Sequence, residues 1–176
     1  MTETSPTLDG ILNRRVMLEQ PATGYRVAVD TVFLAAAVPA LAGDRVLDLG
    51  CGVGGAMLGL ACRVAGLAGL GLEIQPSLAE MCRRNIGRNV FAAGFGVRLG
   101  DAASLPPDLR QGFDHVLMNP PYHEESRHDV SENESKRAAN AEKTGDLALW
   151  IASAAAALKP SCLLTIIHRA DRREEI

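Results

Sequence analysis

Arg45-Val-Leu-Asp-Leu-Gly-Cys-Gly-Val-Gly-Gly55 starts as a short apolar run and breaks into four glycines within six residues. The run Arg45–Leu49 has the length and apolar content of a buried strand. An Ala/Leu-rich segment follows through about Val64 and reads as a helix. Strand, glycine turn and helix in that order form the opening of a βαβ unit. The same alternation continues downstream. Leu67–Glu73 reads as a second strand, and Pro76–Val90 as an amphipathic helix with proline in its first turn. A third strand is predicted near Gly96–Leu99 and a fourth at Phe113–Met118. Asp146–Leu158 reads as a helix stopped by Lys159-Pro160, and Leu163–His168 as a fifth strand. Upstream, Asp30 is placed as the cap of a helix running through VFLAAAV toward Pro39.

Strands that alternate with helices pair in parallel through right-handed crossovers. The predicted fold class is therefore α/β, a Rossmann-like, doubly wound and mostly parallel sheet. Such sheets take ligands outside the carboxyl ends of their strands, so the residues after each strand are the candidates for chemistry.

After the first strand, the glycines at 50, 52, 54 and 55 allow positive φ and let backbone N–H groups approach a ligand at a helix N-terminus. Gly50, Gly52 and Gly55 also satisfy GxGxxG, with Glu73 near the position of a ribose-binding acid, so by spacing a nicotinamide or flavin protein stays open. Asp48 weighs against it, because a carboxylate two residues before the first glycine opposes a pyrophosphate but suits an ammonium or sulfonium. S-adenosyl-L-methionine carries both. Glu73 can then accept two ribose hydroxyls, and Asp101, after the third strand, an adenine amine. A single acid at a strand end is commonly a helix cap; three acids at the ends of successive strands following a glycine turn form a pattern.

The fourth strand ends in Asn119-Pro-Pro-Tyr122. Two prolines end a strand and stiffen the turn whatever its role. The position beside the glycine turn suggests more. An amine conjugated to a ring or carbonyl is a poor nucleophile because its lone pair is delocalised. Donating its two hydrogens to the Asn119 side-chain oxygen and the Pro120 carbonyl turns the nitrogen toward sp³ character. Tyr122 can stack on a planar substrate group.

Together, DLGCGVGG, Glu73, Asp101 and NPPY resemble the class I S-adenosylmethionine-dependent methyltransferases that act on amino nitrogens. More narrowly, Gln20-Pro-Ala-Thr-Gly-Tyr-Arg-Val-Ala-Val-Asp30, the FLAAA helix, TGDLALWI, LKP and HR resemble the tRNA(Val) adenine-N6 methyltransferase family from about Gln20 onward. The resemblance implies methyl transfer to an exocyclic amine, adenine N6 in tRNA above all. Glutamine N5 methylation of a protein such as a release factor, or a cofactor-binding relic without turnover, are the alternatives. It implies catalytic roles for Asn119, Pro120 and Tyr122. Cofactor contacts are implied for Asp48, Gly50, Cys51, Gly52, Glu73, Ile74, Asp101, Ala102 and Asn119, with Tyr25, Arg26 and Asp30 closing over the cofactor.

Composition is compatible with this. The 176 residues are 47% hydrophobic and 22% charged with a formal charge of −3, enough for one core and without the basic excess of a general nucleic-acid binder. RNA as a partner then needs local phosphate contacts. Candidates are Arg26, Arg127, Lys136, Arg137 and Lys143, with Arg83, Arg84 and Arg88 on the second helix, where a solvated face is the plainer reading. Cys51, Cys62, Cys82 and Cys162 form no CxxC pair and no metal pattern, so free buried thiols in a cytoplasmic protein are expected. No signal sequence and no span of about 20 apolar residues is present, and no membrane association is expected. His123–Lys143 is strongly polar, with six acids, four bases and two histidines. It reads either as a solvated loop or as a substrate lid.

The expectation for the whole is one domain over residues 1–176, with 1–44 as N-terminal segment and helix and 45–176 as the core. The resembled catalytic domains add an antiparallel strand pair after the fifth strand, and this sequence ends at Ile176 within the helix expected before it. A C-terminally incomplete sheet is thus expected, with LLTIIH as an apolar open edge available for self-association.

Overall fold

Burial in the strand at Arg45–Leu49 alternates between two cores: Val46 packs on one face of the sheet, and Leu47 and Leu49 on the other. This is the pattern of a central strand covered on both sides. The computed structural model describes residues 5–121, 123–124, 141–142 and 146–176. In chain order its elements begin with β1 (Thr7–Ile11), β2 (Val16–Gln20) and α1 (Val29–Ala37). Then come β3 (Arg45–Leu49), α2 (Gly55–Arg63), β4 (Ala68–Glu73), α3 (Pro76–Arg88), β5 (Phe95–Leu99) and β6 (Phe113–Met118). Two short strands, β7 (His123–Glu124) and β8 (Ala141–Glu142), precede α4 (Asp146–Ala157) and β9 (Leu158–Ile166).

The sheet is parallel throughout, in the order β5-β4-β3-β6-β9. Strand order reverses between β3 and β6, which opens a crevice at their carboxyl ends. On one face, residues of α1, α2 and α3, among them Leu34, Met57, Leu60 and Cys82, pack with Val46 and Leu117. On the other, Ala154 and Ala157 of α4 pack with Leu47, Leu49, Val116 and Met118. The expected doubly wound, Rossmann-like architecture is what forms. Among the described residues β9 pairs only with β6, and Leu163 on it is 52% exposed.

Four local expectations need correction. Residues 7–20, placed in the N-terminal segment with no strand assigned there, form an antiparallel hairpin with Thr7 opposite Gln20. Asp30 does not cap α1; Ala28 holds the cap position and Asp30 lies in the first turn. Lys159-Pro160 does not separate helix from strand, because β9 already pairs at Leu158 and bulges before resuming at Leu163, with Ser161 at φ +63°. The bulge is where proline fits in a strand, since no ladder N–H is needed there. Finally, Cys51 and Cys82 are buried, but Cys62 and Cys162 are half-buried.

The hairpin is fastened by Asn85 of α3 and by Asn89, the residue that caps its C-terminus. Asn85 Oδ1 accepts the Glu19 N–H at 2.7 Å, and its Nδ2 donates to the Glu19 carbonyl at 3.0 Å. Asn89 does the same for Met17, at 3.0 and 2.9 Å. Four helical residues rise about 6 Å and two strand residues span about 6.8 Å, so side chains at i and i+4 reach alternate residues of β2. Each amide thus replaces a neighbouring strand. Arg84 and Arg88 add ion pairs to the Glu19 carboxylate, at 2.6 and 3.0 Å. These arginines, together with Arg83 paired to Glu80, serve this attachment and the helix surface.

Candidate active site

Period-2 alternation sets the first acid. Asp48 shares the α2 face of β3 with Val46 and is 3% exposed. Its Oδ2 accepts the Met57 N–H at 3.3 Å, at the N-terminal end of α2. That contact favours the carboxylate, but burial outweighs it, and with Glu73 nearby the Asp48 carboxyl is pushed up to about 7.

The chain leaves β3 through a turn in which Gly50, Gly52 and Gly54 have φ of +70°, +56° and +90°. Gly50 and Cys51 both donate their N–H to the Leu72 carbonyl, at 2.8 and 3.1 Å, which ties the turn to the end of β4. Side chains would not fit there: a Cβ at Gly50 would meet the Trp150 ring, and one at Gly52 would lie 2.9 Å from Tyr25. Glu73 sits at the end of β4, 4% exposed. Its Oε2 accepts the Gly52 N–H and its Oε1 the Gln75 N–H, both at 2.8 Å. Burial raises its pKa against these bonds.

Gly50, Gly52 and Glu73 border an open cleft at the carboxyl ends of the strands, while Asp48 is buried behind its lining. Its lining includes Tyr25, Gly50, Gly52, Glu73, Ile74, Asp101, Ala102 and Asn119. Eight of the sequence-derived candidates are therefore brought together. Ile74 is 59% exposed, an apolar side chain held out at the rim. Asp101 Oδ1 accepts the Ala103 N–H at 2.8 Å, so this acid also builds its own turn. Tyr25 bonds the Thr31 side chain, and burial with Asp48 and Asp30 nearby raises its phenol pKa.

Other candidates lie off the cleft. Cys51 Sγ faces Cys82 Sγ at 4.0 Å in the core, and that contact together with burial keeps its thiol protonated. The Arg26 guanidinium turns to the hairpin, bonding Asp9 at 2.7 Å, Thr7 at 3.0 Å and the Pro21 carbonyl at 2.8 Å. Asp30 reaches the site through Asn119, whose Nδ2 donates to Asp30 Oδ2 at 3.1 Å. Pro121 lines the cleft where Pro120 was the candidate. Tyr122, Arg127, His128, Lys136, Arg137 and Lys143 lie outside the described residues, as does most of the polar interval. The part described is β7 and β8, which pair in parallel.

Sequence reasoning did not single out Trp150. It stands on α4 and walls the cleft against Gly50 and Asn119. A lone tryptophan on an apolar helix reads as core, and nothing local in the sequence ties it to Gly50, whose missing Cβ leaves the space its ring fills. Among the described residues there is no cluster of three or more His, Cys, Asp or Glu able to hold a metal, and no helix long and apolar enough to cross a membrane.

The arrangement offers backbone donors, acidic acceptors for a polar or cationic ligand, and an amide at one end. Comparison with known proteins agrees with it. The family described as methyltransferase small domain matches residues 25–161. A tRNA1(Val) (adenine(37)-N6)-methyltransferase of Porphyromonas gingivalis is 31% identical over 174 residues, covering 93% of this chain and 66% of the relative. The chain spans between about half and two thirds of the length of the curated relatives it matches. Among solved structures, protein Atu636 of Agrobacterium tumefaciens, described as a predicted O-methyltransferase, is 27% identical with a TM-score of 0.66, covering 84% of this chain and 64% of that one. A geranyl diphosphate C-methyltransferase of Streptomyces coelicolor, solved with S-adenosyl-L-homocysteine, shares the fold at 17% identity, with a TM-score of 0.58 over 80% of this chain and 43% of its own.

Proposed function

Because the chain belongs to the methyltransferase small domain family, we propose that it transfers a methyl group from S-adenosyl-L-methionine to the N6 amine of an adenine in tRNA. The observation that carries this reading is the single cleft running from the glycine turn after β3 to Asn119 after β6. Its two ends suit a cofactor and an amine, one beside the other.

The residues present fit the cofactor. Gly50 and Gly52 line the cleft without side chains, and the Trp150 and Tyr25 rings stand where their Cβ atoms would be, so backbone and two rings face a bound ligand there. Each Glu73 oxygen already takes one backbone N–H, and a carboxylate oxygen has room for a second donor, which matches a pair of ribose hydroxyls. Asp48, ionised above about pH 7, supplies a negative charge for an ammonium. Ile74 offers an apolar surface to a ring and Asp101 an acceptor to its amine. When bound, the cofactor supplies a methyl on a sulfonium, which needs no further activation by the protein.

The work left to the chain is to hold and orient the amine. Asn119, in the cleft lining, accepts one of the amine hydrogens on Oδ1, and the NPPY resemblance gives the other to the Pro120 carbonyl, so the amine lone pair is freed from the ring; orientation of this kind is worth several kcal/mol. Pro121 and Trp150 wall the same space. The name of the P. gingivalis relative supports adenine as the acceptor.

The test is incubation with labelled S-adenosyl-L-methionine and, in parallel, total tRNA and a ribosomal and release-factor protein fraction. Label is expected in tRNA, as N6-methyladenine after nuclease digestion. Label in protein alone overturns the adenine assignment.

A further inference from the structure

Asp30 is joined to Asn119 across 89 positions of sequence, with Asn119 Nδ2 donating to Asp30 Oδ2 at 3.1 Å. The other Asp30 oxygen accepts the N–H of Thr31 at 2.9 Å, which fixes the carboxylate on the first turn of α1. Both residues are half-buried. An asparagine amide has two nearly isosteric ends, one that donates and one that accepts, and its rotamer alone does not choose between them. For an amine substrate the choice is decisive. With Oδ1 toward the cleft the amine hydrogens find an acceptor; with Nδ2 there, two donors meet and the amine is repelled.

We propose that Asp30 is the positioning residue that selects the productive orientation of the Asn119 amide. An ionised carboxylate only accepts, so it holds the Nδ2 end and commits Oδ1 to the opposite side. Asp30 thereby acts on the transferred group through Asn119, where the sequence resemblance placed it over the cofactor. The step lends α1 a function: the N-terminal segment carries the carboxylate, the sheet carries the amide, and the site is complete only when the two dock.

This inference rests on the reading of Asn119 as the amine acceptor. Asp30→Asn keeps size and shape and removes the one-way preference, since the new side chain can face Asn119 with either end. Its kcat for tRNA methylation is expected to fall about 10- to 100-fold, the range for a slightly misplaced reacting group, while the Kd for S-adenosyl-L-homocysteine by calorimetry stays within about threefold. In an Asn119→Ala background the same change is expected to cost nothing further. An unchanged kcat, an additive loss in the double variant, or a loss confined to cofactor Kd would each overturn the proposal. A second readout does not need the reaction. In ¹⁵N spectra of the complex with S-adenosyl-L-homocysteine, the Asn119 side-chain NH₂, assigned by its absence in Asn119→Ala, should exchange slowly in the parent and faster in Asp30→Asn. Equal exchange rates refute the lock. If the parent protein methylates no tRNA and the NH₂ is still protected by Asp30, the substrate assignment fails while the lock stands.

Discussion

The Glu73 carboxylate receives the Gly52 N–H on one oxygen and the Gln75 N–H on the other, both at 2.8 Å, so the acid at the end of β4 holds the turn at the end of β3. A Glu73→Gln variant must turn its NH₂ toward one of these two N–H groups. One donor is then opposed by another at a buried position. Cofactor affinity is expected to drop about 10- to 100-fold, or roughly 1.4–2.8 kcal/mol, measured by calorimetric titration with S-adenosyl-L-homocysteine. Unaltered binding would remove Glu73 from the site.

Asp48 makes stability depend on pH with a definite sign. Its carboxyl titrates near 3.8 when the chain is unfolded and near 7 when folded. Between these values the folded state holds the extra proton, so the contribution of Asp48 is fully present below about pH 4 and is lost as pH rises through 7. Glu73 is shifted in the same direction. The ligand-free protein should therefore melt at lower temperature at pH 8 than at pH 6, and Asp48→Asn should flatten the slope and raise the pH 8 midpoint. The ceiling of the effect is roughly 4 kcal/mol. A cationic cofactor requires the ionised form, so its affinity should rise across the same interval. Thermal scans at several pH values with and without S-adenosyl-L-methionine check both trends, and an Asp48→Asn slope identical to the parent's would exclude Asp48 as the source.

Asn85 is fully buried and makes three hydrogen bonds to backbone, two with Glu19 and one to the Val53 carbonyl at 3.0 Å. Asn85→Ala leaves these groups unpaired and should cost roughly 2–4 kcal/mol. Urea unfolding measures the loss. Removing one of the two Glu19 ion pairs by Arg88→Ala should cost under about 1 kcal/mol, because the Arg88 side chain is 44% exposed and Glu19 keeps its pair with Arg84. The reverse ranking would mean that charge, and not the amide bonds, holds the hairpin.

Gly50 combines a φ of +70° with a Trp150 ring where its Cβ would stand. Gly50→Ala should destabilise the protein by about 2–3 kcal/mol, from strain and overlap together. Adding Trp150→Ala relieves the overlap alone, so the double variant should recover part of the loss relative to the sum of the single changes. Strict additivity in a double-mutant cycle would separate the two residues.

Much of this molecule was legible because its signals are local. β3 and β6 occupy the spans read from sequence, since each is a short apolar run closed by glycine or proline, and Glu73 and Asp101, after β4 and β5, fall around one cleft with Asn119 after β6. What sequence misplaced depends on distant partners. The hairpin carries no glycine at its turn, where Leu12, Asn13 and Arg14 all have positive φ, and β2 is buried at consecutive positions, so neither turn chemistry nor alternation marks it. Its partners lie 66 and 72 residues ahead. Asp30 looked like a cap because its residue type suits one; its carboxylate is engaged with Thr31 and Asn119 instead. Lys159-Pro160 looked like a stop because a bulge excuses proline from the ladder.

The asparagine attachment of β2 also orders events in time. Asn85 and Asn89 present their amides at the right spacing only once α3 is wound, and α3 packs on β4 and β5 of the sheet. Contacts this far apart in sequence close late, after shorter loops have formed. During synthesis residues 7–20 emerge with Arg26 and then α2 to settle against, but the amide attachment waits until the chain has passed residue 89. The earliest hairpin to be made is thus among the last to find its place.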